Sequence, residues 1–229
     1  MRHLAQSGLL PTVIRLSDEA ETAINLASQS DVGGEAPTGC LMIVGHEGTD
    51  HDLVDARRAL VTGQLQKVDG TPLGEERGAA WVQGRFHAPY LRDSLLDVGV
   101  LVETLETATF WSNREQLYEA VKQALVGVLG EKTLVLCHIS HVYETGCSLY
   151  FTVAAPGGEA PLETWQEAKA AATQAMVDAG ATVTHHHAVG SDHRPWFAAE
   201  IGPVGVQVLR AVKHELDPAG ILNPGVMIP

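Results

Sequence analysis

The chain has 229 residues, 45% of them hydrophobic and 19% charged, a balance that fits a folded domain and excludes a disordered chain. Lys and Arg number 15 against 28 acidic residues, a formal charge of −13, which argues against non-specific binding to nucleic acid or to anionic lipid. No apolar run approaches the ~20 residues that cross a bilayer, and the first residues, MRHLAQSGLLPTVIRLSDE, lack the continuous apolar stretch of a signal peptide.

In chain order, VIRLS (Val13 to Ser17) is β-branched and apolar and reads as a strand, after which Asp18 is placed to cap a helix through about Gln29. Gly33 to Gly39 is a turn-rich loop, and CLMIVGHEG is a buried strand leaving through His46 and Glu47. Thr49 and Asp50 open a helix to about Val68, with Leu53, Ala56, Leu60 and Leu65 near helical spacing. The polar, glycine-rich stretch DGTPLGEERGAAWVQGRFHAPYLRD predicts a long loop with short helices. Gly99 to Thr109 is a strand. Ser112 and Glu115 have capping-box spacing for a helix through Leu129, closed by Gly130. TLVLCHISHVY and CSLYFTVAA flank Glu144-Thr145-Gly146, the pattern of a hairpin. A helix follows from Pro161 to Ala179, then a short strand ATVTHHH, a last helix Ile201 to Leu216, and an extended tail ILNPGVMIP. Irregular alternation with a hairpin excludes a purely parallel doubly wound sheet and predicts an α+β layer, an antiparallel sheet with helices on one face. No GxGxxG follows a strand and no Walker A loop occurs.

The chemistry-bearing residues fall in a few clusters. Cys40, Cys137 and Cys147 are an odd, widely spaced set with no zinc or disulfide pattern, which reads as buried reduced thiols in a cytoplasmic protein. His185-His186-His187 is the unusual run. On a strand it would put His185 and His187 on one side and His186 on the other. It reads as a solvated loop end, as a metal site if His185, His187, Asp192 and His193 converge, or as a cluster supplying proton-transfer groups near neutral pH. The hairpin adds His138, His141, Tyr143 and Tyr150, which is ordinary cross-strand packing unless Tyr143 reaches from the turn into a site. Arg15 and Arg92 sit in apolar settings and need partners, either an internal carboxylate such as Asp18 or Asp93, or an anionic substrate.

The segment TVTHHHAVGSDHRPWFAAEIGPVGVQVLRAVKHELDPAGILNPG resembles the C-terminus of FAD-linked oxidases of the vanillyl-alcohol oxidase type. Together with LAQSGLLPTVIRLSDE, GRFHAPYLRD, VETLETAT and HVYETGCSLYFTV, it is most similar to the alkyldihydroxyacetonephosphate synthases among them. The triple histidine discriminates, because the flavin-dependent 2-hydroxy-acid dehydrogenases of that superfamily usually carry a single histidine there. The resemblance implies that residues 1–229 are a ferredoxin-like substrate (cap) domain whose N-terminal FAD-binding domain has no counterpart in this chain. It implies catalytic roles for Tyr143, as proton donor and acceptor, and for His185, His186 and His187. It makes Arg15 important for activity, puts Arg92 at the substrate and puts Asn223 near FAD, with His187 as a further cofactor-binding residue; Arg92 together with Arg15 or Arg194 is placed to clamp the phosphate. The implied reaction exchanges the acyl group of acyl-dihydroxyacetone phosphate for a fatty alcohol. The alternatives are 2-hydroxy-acid oxidation, or a non-catalytic binding domain. The implied partners are an FAD-binding domain and a lipid-like phosphate, with at most peripheral membrane contact and a possible homodimer.

Overall fold

The computed structural model describes residues 1–26 and 39–228. Five strands form one antiparallel sheet in the order β2-β1-β4-β5-β3: β1 Val13–Ser17, β2 Met42–Gly45, β3 Val100–Phe110, β4 Leu134–Ile139 and β5 Gly146–Pro156. The helices are α1 Arg2–Gln6, α2 Glu19–Leu26, α3 His51–Gln66, α4 Glu76–Gly84, α5 Ala88–Asp97, α6 Arg114–Leu129, α7 Pro161–Asp178 and α8 Arg194–Leu216. This is the α+β arrangement that the sequence predicts.

The main core lies between the sheet and the α6–α7 pair. Leu117, Val121 and Leu125, spaced four apart on α6, meet Ala168, Ala172 and Met176 of α7 and the alternate residues Leu149, Phe151 and Val153 of β5. Successive strand residues point to opposite faces and directly paired residues share one. The register Ser17↔His138, His138↔Tyr150 and Glu106↔Tyr150 therefore puts these four side chains in a row on the face away from that core, with Arg15 on the same face of β1.

Several local features follow the sequence. Asp18 accepts from the Glu21 backbone N–H at 2.8 Å and also from Tyr118 Oη and the Cys137 N–H, which joins β1, β4 and α6. Asp50 caps α3 through Leu53 N, and Gly130 (φ 89°) ends α6 in a conformation that glycine adopts freely. Gln29 and most of the Gly33 to Gly39 loop lie outside the described residues.

Other features differ. The capping box does not form: Asn113 is the N-cap, and the Ser112 hydroxyl turns to the Asn113 side chain instead of the helix. ATVTHHH is not a strand. His186 and Ala188 both take φ 63°, a left-handed conformation that breaks the alternation. The segment is still held along the free edge of β3 by Thr182 N–H to Ala108 O (3.0 Å) and His185 N–H to Glu106 O (3.1 Å). The last helix starts at Arg194, earlier than predicted, and bends at Gly202 (φ 70°) before Pro203. The tail is turned, with Asn223 at φ 45° and Gly225 at φ 77°. On α3 the buried residue is Val61, while Leu53 and Leu60 are exposed. Cys137 and Cys147 are buried, but Cys40 is exposed, contrary to the expectation for three buried thiols. Among the described residues no helix is long and apolar enough to cross a membrane.

Candidate active site

The β4–β5 connection places Tyr143. Beyond β4 the hairpin continues through Ser148 N–H to His141 O and Tyr143 N–H to Gly146 O, both at 2.9 Å. Its end is pinned to β3, because Trp111 donates from its backbone to Thr145 O and from its indole Nε1 to Tyr143 O at 3.0 Å. The approach is so close that a Cβ on Gly146 would lie 2.0 Å from Thr109 O. The backbone of Tyr143 is thus anchored at both sides while its phenol projects from the turn, 46% exposed.

The segment after α7 brings the histidines to that phenol. Glu200 of α8 receives the Thr182 hydroxyl and the Val183 N–H, which fixes the approach of the chain. Tyr143 Oη then lies 3.0 Å from His185 Nε2, and His185 Nδ1 lies 3.3 Å from Glu106 Oε1. His141 and His187 stand 3.4 Å from the same carboxylate, and His186 stacks on His141 with ring centroids 4.3 Å apart. The Glu106 side chain is only 3% exposed. Burial lowers the His141 pKa, and the neighbouring imidazoles add to this, against the opposing pull of Glu106.

A second polar group continues the row. Arg15 Nη2 reaches Glu21 Oε1 at 2.7 Å and His138 Nδ1 at 3.0 Å. His138 stacks on Tyr150 at 4.7 Å, and Tyr150 meets His187 edge-on at 5.2 Å. Glu21 is the internal partner that Arg15 requires, and Asp18 is occupied elsewhere. Burial, the largest influence on the Glu21 carboxyl, works to raise its pKa. The hydrogen bond and charge of His138 and the charge of Arg15 outweigh it and hold the carboxyl below its usual range.

The structure therefore brings together Tyr143, His185, His186 and His187, with Arg15 along the same face. It does not bring the other expected residues to them. Arg92 is on α5, paired with Asp93 at 3.2 Å. Arg194 donates to Gly225 O, and Asn223 sits in the turn of the tail. The four residues considered for a metal also separate: Asp192 pairs with Lys169 and His193 is buried against Thr173. The ring nitrogens that do converge, within 4.8 Å of one another, belong to His141, His185 and His186. In this arrangement both nitrogens of His185 already have partners, Tyr143 and Glu106.

Glu106 is the residue that sequence reasoning missed. Its signal was an acidic residue in a mostly apolar and threonine-rich strand that also carries Glu103. Beside it opens a cleft of about 450 Å³, lined by Thr104, Lys169, Thr184, His187 and residues 188–193.

Comparison with known proteins places the fold. The family described as FAD linked oxidases, C-terminal domain, matches residues 1–227. The chain is 30% identical to an alkyldihydroxyacetonephosphate synthase of Dictyostelium discoideum over 100% of its own length and 41% of the relative's. To that of Trypanosoma brucei brucei it is 29% identical over 98% of itself and 40% of the relative. It therefore spans about two fifths of the length of these curated relatives. A solved alkyldihydroxyacetonephosphate synthase superposes with a TM-score of 0.70 at 26% identity, over 97% of this chain and 40% of the other. A 4-ethylphenol oxidase from Gulosibacter chungangensis (TM-score 0.63, 12% identity, over 98% of this chain and 49% of the other) shares the fold.

Proposed function

The chain belongs to the FAD-linked oxidases, whose cofactor is FAD and whose C-terminal domain pairs with an FAD-binding domain, and from that premise we propose that it is the substrate domain of an alkyldihydroxyacetonephosphate synthase-like enzyme. The observation that carries this reading is the 3.0 Å contact between Tyr143 Oη and His185 Nε2 within the run of three histidines.

The donor set fits the ring end of a flavin. Tyr143 is half exposed, and the side chains of His141 and His187 are 43% and 35% exposed, so hydrogen-bonding groups face outward from the sheet. Among the described residues no glycine-rich strand-to-helix turn offers a pyrophosphate cradle, and that part falls to the FAD-binding domain. FAD, when bound, supplies the ring chemistry for exchanging an acyl for an alkyl group on dihydroxyacetone phosphate. The residues of this chain move protons and orient the substrate. The Tyr143 hydroxyl lies 3.0 Å from His185 Nε2, so a proton can pass between phenol and imidazole and return without crossing bulk water. Arg15, fixed by Glu21, offers its remaining N–H groups to an anion along the same face.

The test joins this chain to an FAD-binding domain and compares the wild type with Tyr143→Phe. Loss of ether-forming turnover by roughly 10²-fold or more, with flavin content unchanged, is expected for a proton-transfer group. Retained turnover removes Tyr143 from the chemistry. Stable flavin reduction by a small 2-hydroxy acid, without ether formation, replaces the reading with 2-hydroxy-acid oxidation.

A further inference from the structure

We propose that Glu106 is a positioning residue that locks His185 in the Nδ1–H tautomer, so that its Nε2 lone pair is always turned to the Tyr143 hydroxyl. This rests on the reading of Tyr143 as the proton-transfer group, but its structural half can be tested separately.

The argument begins with what a carboxylate can do. Ionised, it only accepts hydrogen bonds, so a neutral imidazole nitrogen facing it must carry the hydrogen. His185 Nδ1 lies 3.3 Å from Glu106 Oε1 with hydrogen-bond geometry, so the hydrogen sits on Nδ1 and Nε2 is left as an acceptor. Tyr143 Oη, 3.0 Å from Nε2, is the donor that this acceptor meets. The opposite tautomer would set a lone pair against the carboxylate and an N–H against the phenol oxygen.

Geometry holds the carboxylate to this task. Glu106 lies within the long β3–β5 ladder, opposite Tyr150, so its backbone cannot shift without breaking register. Its own carbonyl accepts the His185 N–H at 3.1 Å, so one residue fixes both the backbone and the ring of His185. With 3% of its side chain exposed, water does not compete for it. His141 and His187, each 3.4 Å from it, crowd the remaining space. When a proton leaves Tyr143 Oη for His185 Nε2, a phenolate and an imidazolium form with no change in total charge. The Glu106 carboxylate lies against the new cation, 3.3 Å from His185 Nδ1.

Two measurements decide it. The first is nitrogen NMR of the histidine-labelled 229-residue chain, above the pH at which imidazoles are neutral, with His185 assigned by loss of its signals in His185→Asn. The expected result is a protonated Nδ1 and a bare Nε2 in the wild type, preserved in Glu106→Asp. In Glu106→Gln a mixture of tautomers is expected, because a carboxamide can donate as well as accept. The second is turnover of the same variants joined to an FAD-binding domain. Glu106→Gln should lose about 10²–10⁴-fold in kcat with KM little changed, as expected when a relay histidine takes the wrong tautomer. A merely structural Glu106 would lower the folded fraction and leave the tautomer untouched. A wild-type His185 carrying its hydrogen on Nε2 overturns the proposal, as does a Glu106→Gln variant with the native tautomer and full turnover. Should Glu106→Gln fail to fold, the wild-type and Glu106→Asp tautomers still decide. Turnover retained in Tyr143→Phe, with the tautomer shifted in Glu106→Gln, would remove the proposed function and leave the role of Glu106 standing.

Discussion

Replacing Arg15 by methionine tests how the second half of the polar row is held. The side chains of Arg15, Glu21 and His138 are 19%, 8% and 9% exposed, so this ion pair is largely withdrawn from solvent. Arg15→Met removes the 2.7 Å contact to Glu21 and the 3.0 Å contact to His138. It leaves a buried carboxylate, one of whose oxygens, Oε2, has no hydrogen-bond partner, dependent on His138. Stranding a buried charge costs about 3–5 kcal/mol, and the partial exposure of Arg15 puts this case near the low end. A loss of about 3 kcal/mol in a chain of this size lowers Tm by about 6–12 °C. Urea unfolding followed by circular dichroism measures it. Arg15→Met with Glu21→Gln should recover at least ~1 kcal/mol over Arg15→Met alone, since the stranded charge is gone. The sign with pH follows from the lowered Glu21 carboxyl. Its contribution is fully present above the ordinary carboxylate value of about 4.3 and is lost as pH falls through the lower native value. The gap between wild type and Arg15→Met should therefore close in acid. A gap below ~0.5 kcal/mol at pH 7, or a double variant as damaged as the sum of its parts, would refute the reasoning.

Phe151→Ala empties a site of 0% exposure at the centre of the core and should cost about 3–5 kcal/mol by chemical denaturation. Gly146→Ala forces a methyl to 2.0 Å from Thr109 O, so unfolding should show destabilisation of ~2 kcal/mol or more, together with loss of the Tyr143–His185 contact. In alkylation of the native chain one thiol, Cys40, should react, and Cys137 and Cys147 should react only after unfolding, because burial pushes both buried thiols up, Cys147 to about 11. Three thiols reacting together would contradict the burial.

The sheet was legible because its strands carry their own signals. β1, β4 and β5 are β-branched or alternating runs, and the hairpin turn holds a glycine that the Thr109 carbonyl requires. The end of α6 was marked by Gly130, and both Gly130 and Gly180, which follows α7, take positive φ. The misses have different causes: a local contact displaced the helix cap, and contacts distant in sequence reshaped the histidine run. Ser112 has the capping-box spacing, yet its hydroxyl bonds to the Asn113 side chain and Asn113 takes the N-cap position. The histidine run has the composition of a strand end, yet Glu200 and the edge of β3 hold it where His186 must turn left-handed. That turn cancels the alternation that would have put His186 on the far side, and stacks it on His141 instead.

The same logic explains why the centre of the site was hidden while its rim was visible. Histidine, tyrosine and arginine are conspicuous in a sequence, whereas a glutamate in a strand is usually a solvated side chain. In VETLETAT the two acids are three apart, so strand geometry sends them to opposite faces, and periodicity alone does not say which one is buried. The choice is made by register: pairing Glu106 with Tyr150, and Tyr150 with His138, puts this acid in the row where imidazoles from two separate loops arrive. A buried carboxylate 5% exposed as a residue is costly without partners, and three histidines within 3.4 Å offset that cost. The dependence is mutual, because imidazoles packed at 4.2–5.1 Å from one another are a poor arrangement without an acceptor beneath them. A row of histidines facing one side of an antiparallel sheet therefore predicts an acid on the neighbouring strand, at the position paired across from the aromatic residue they touch.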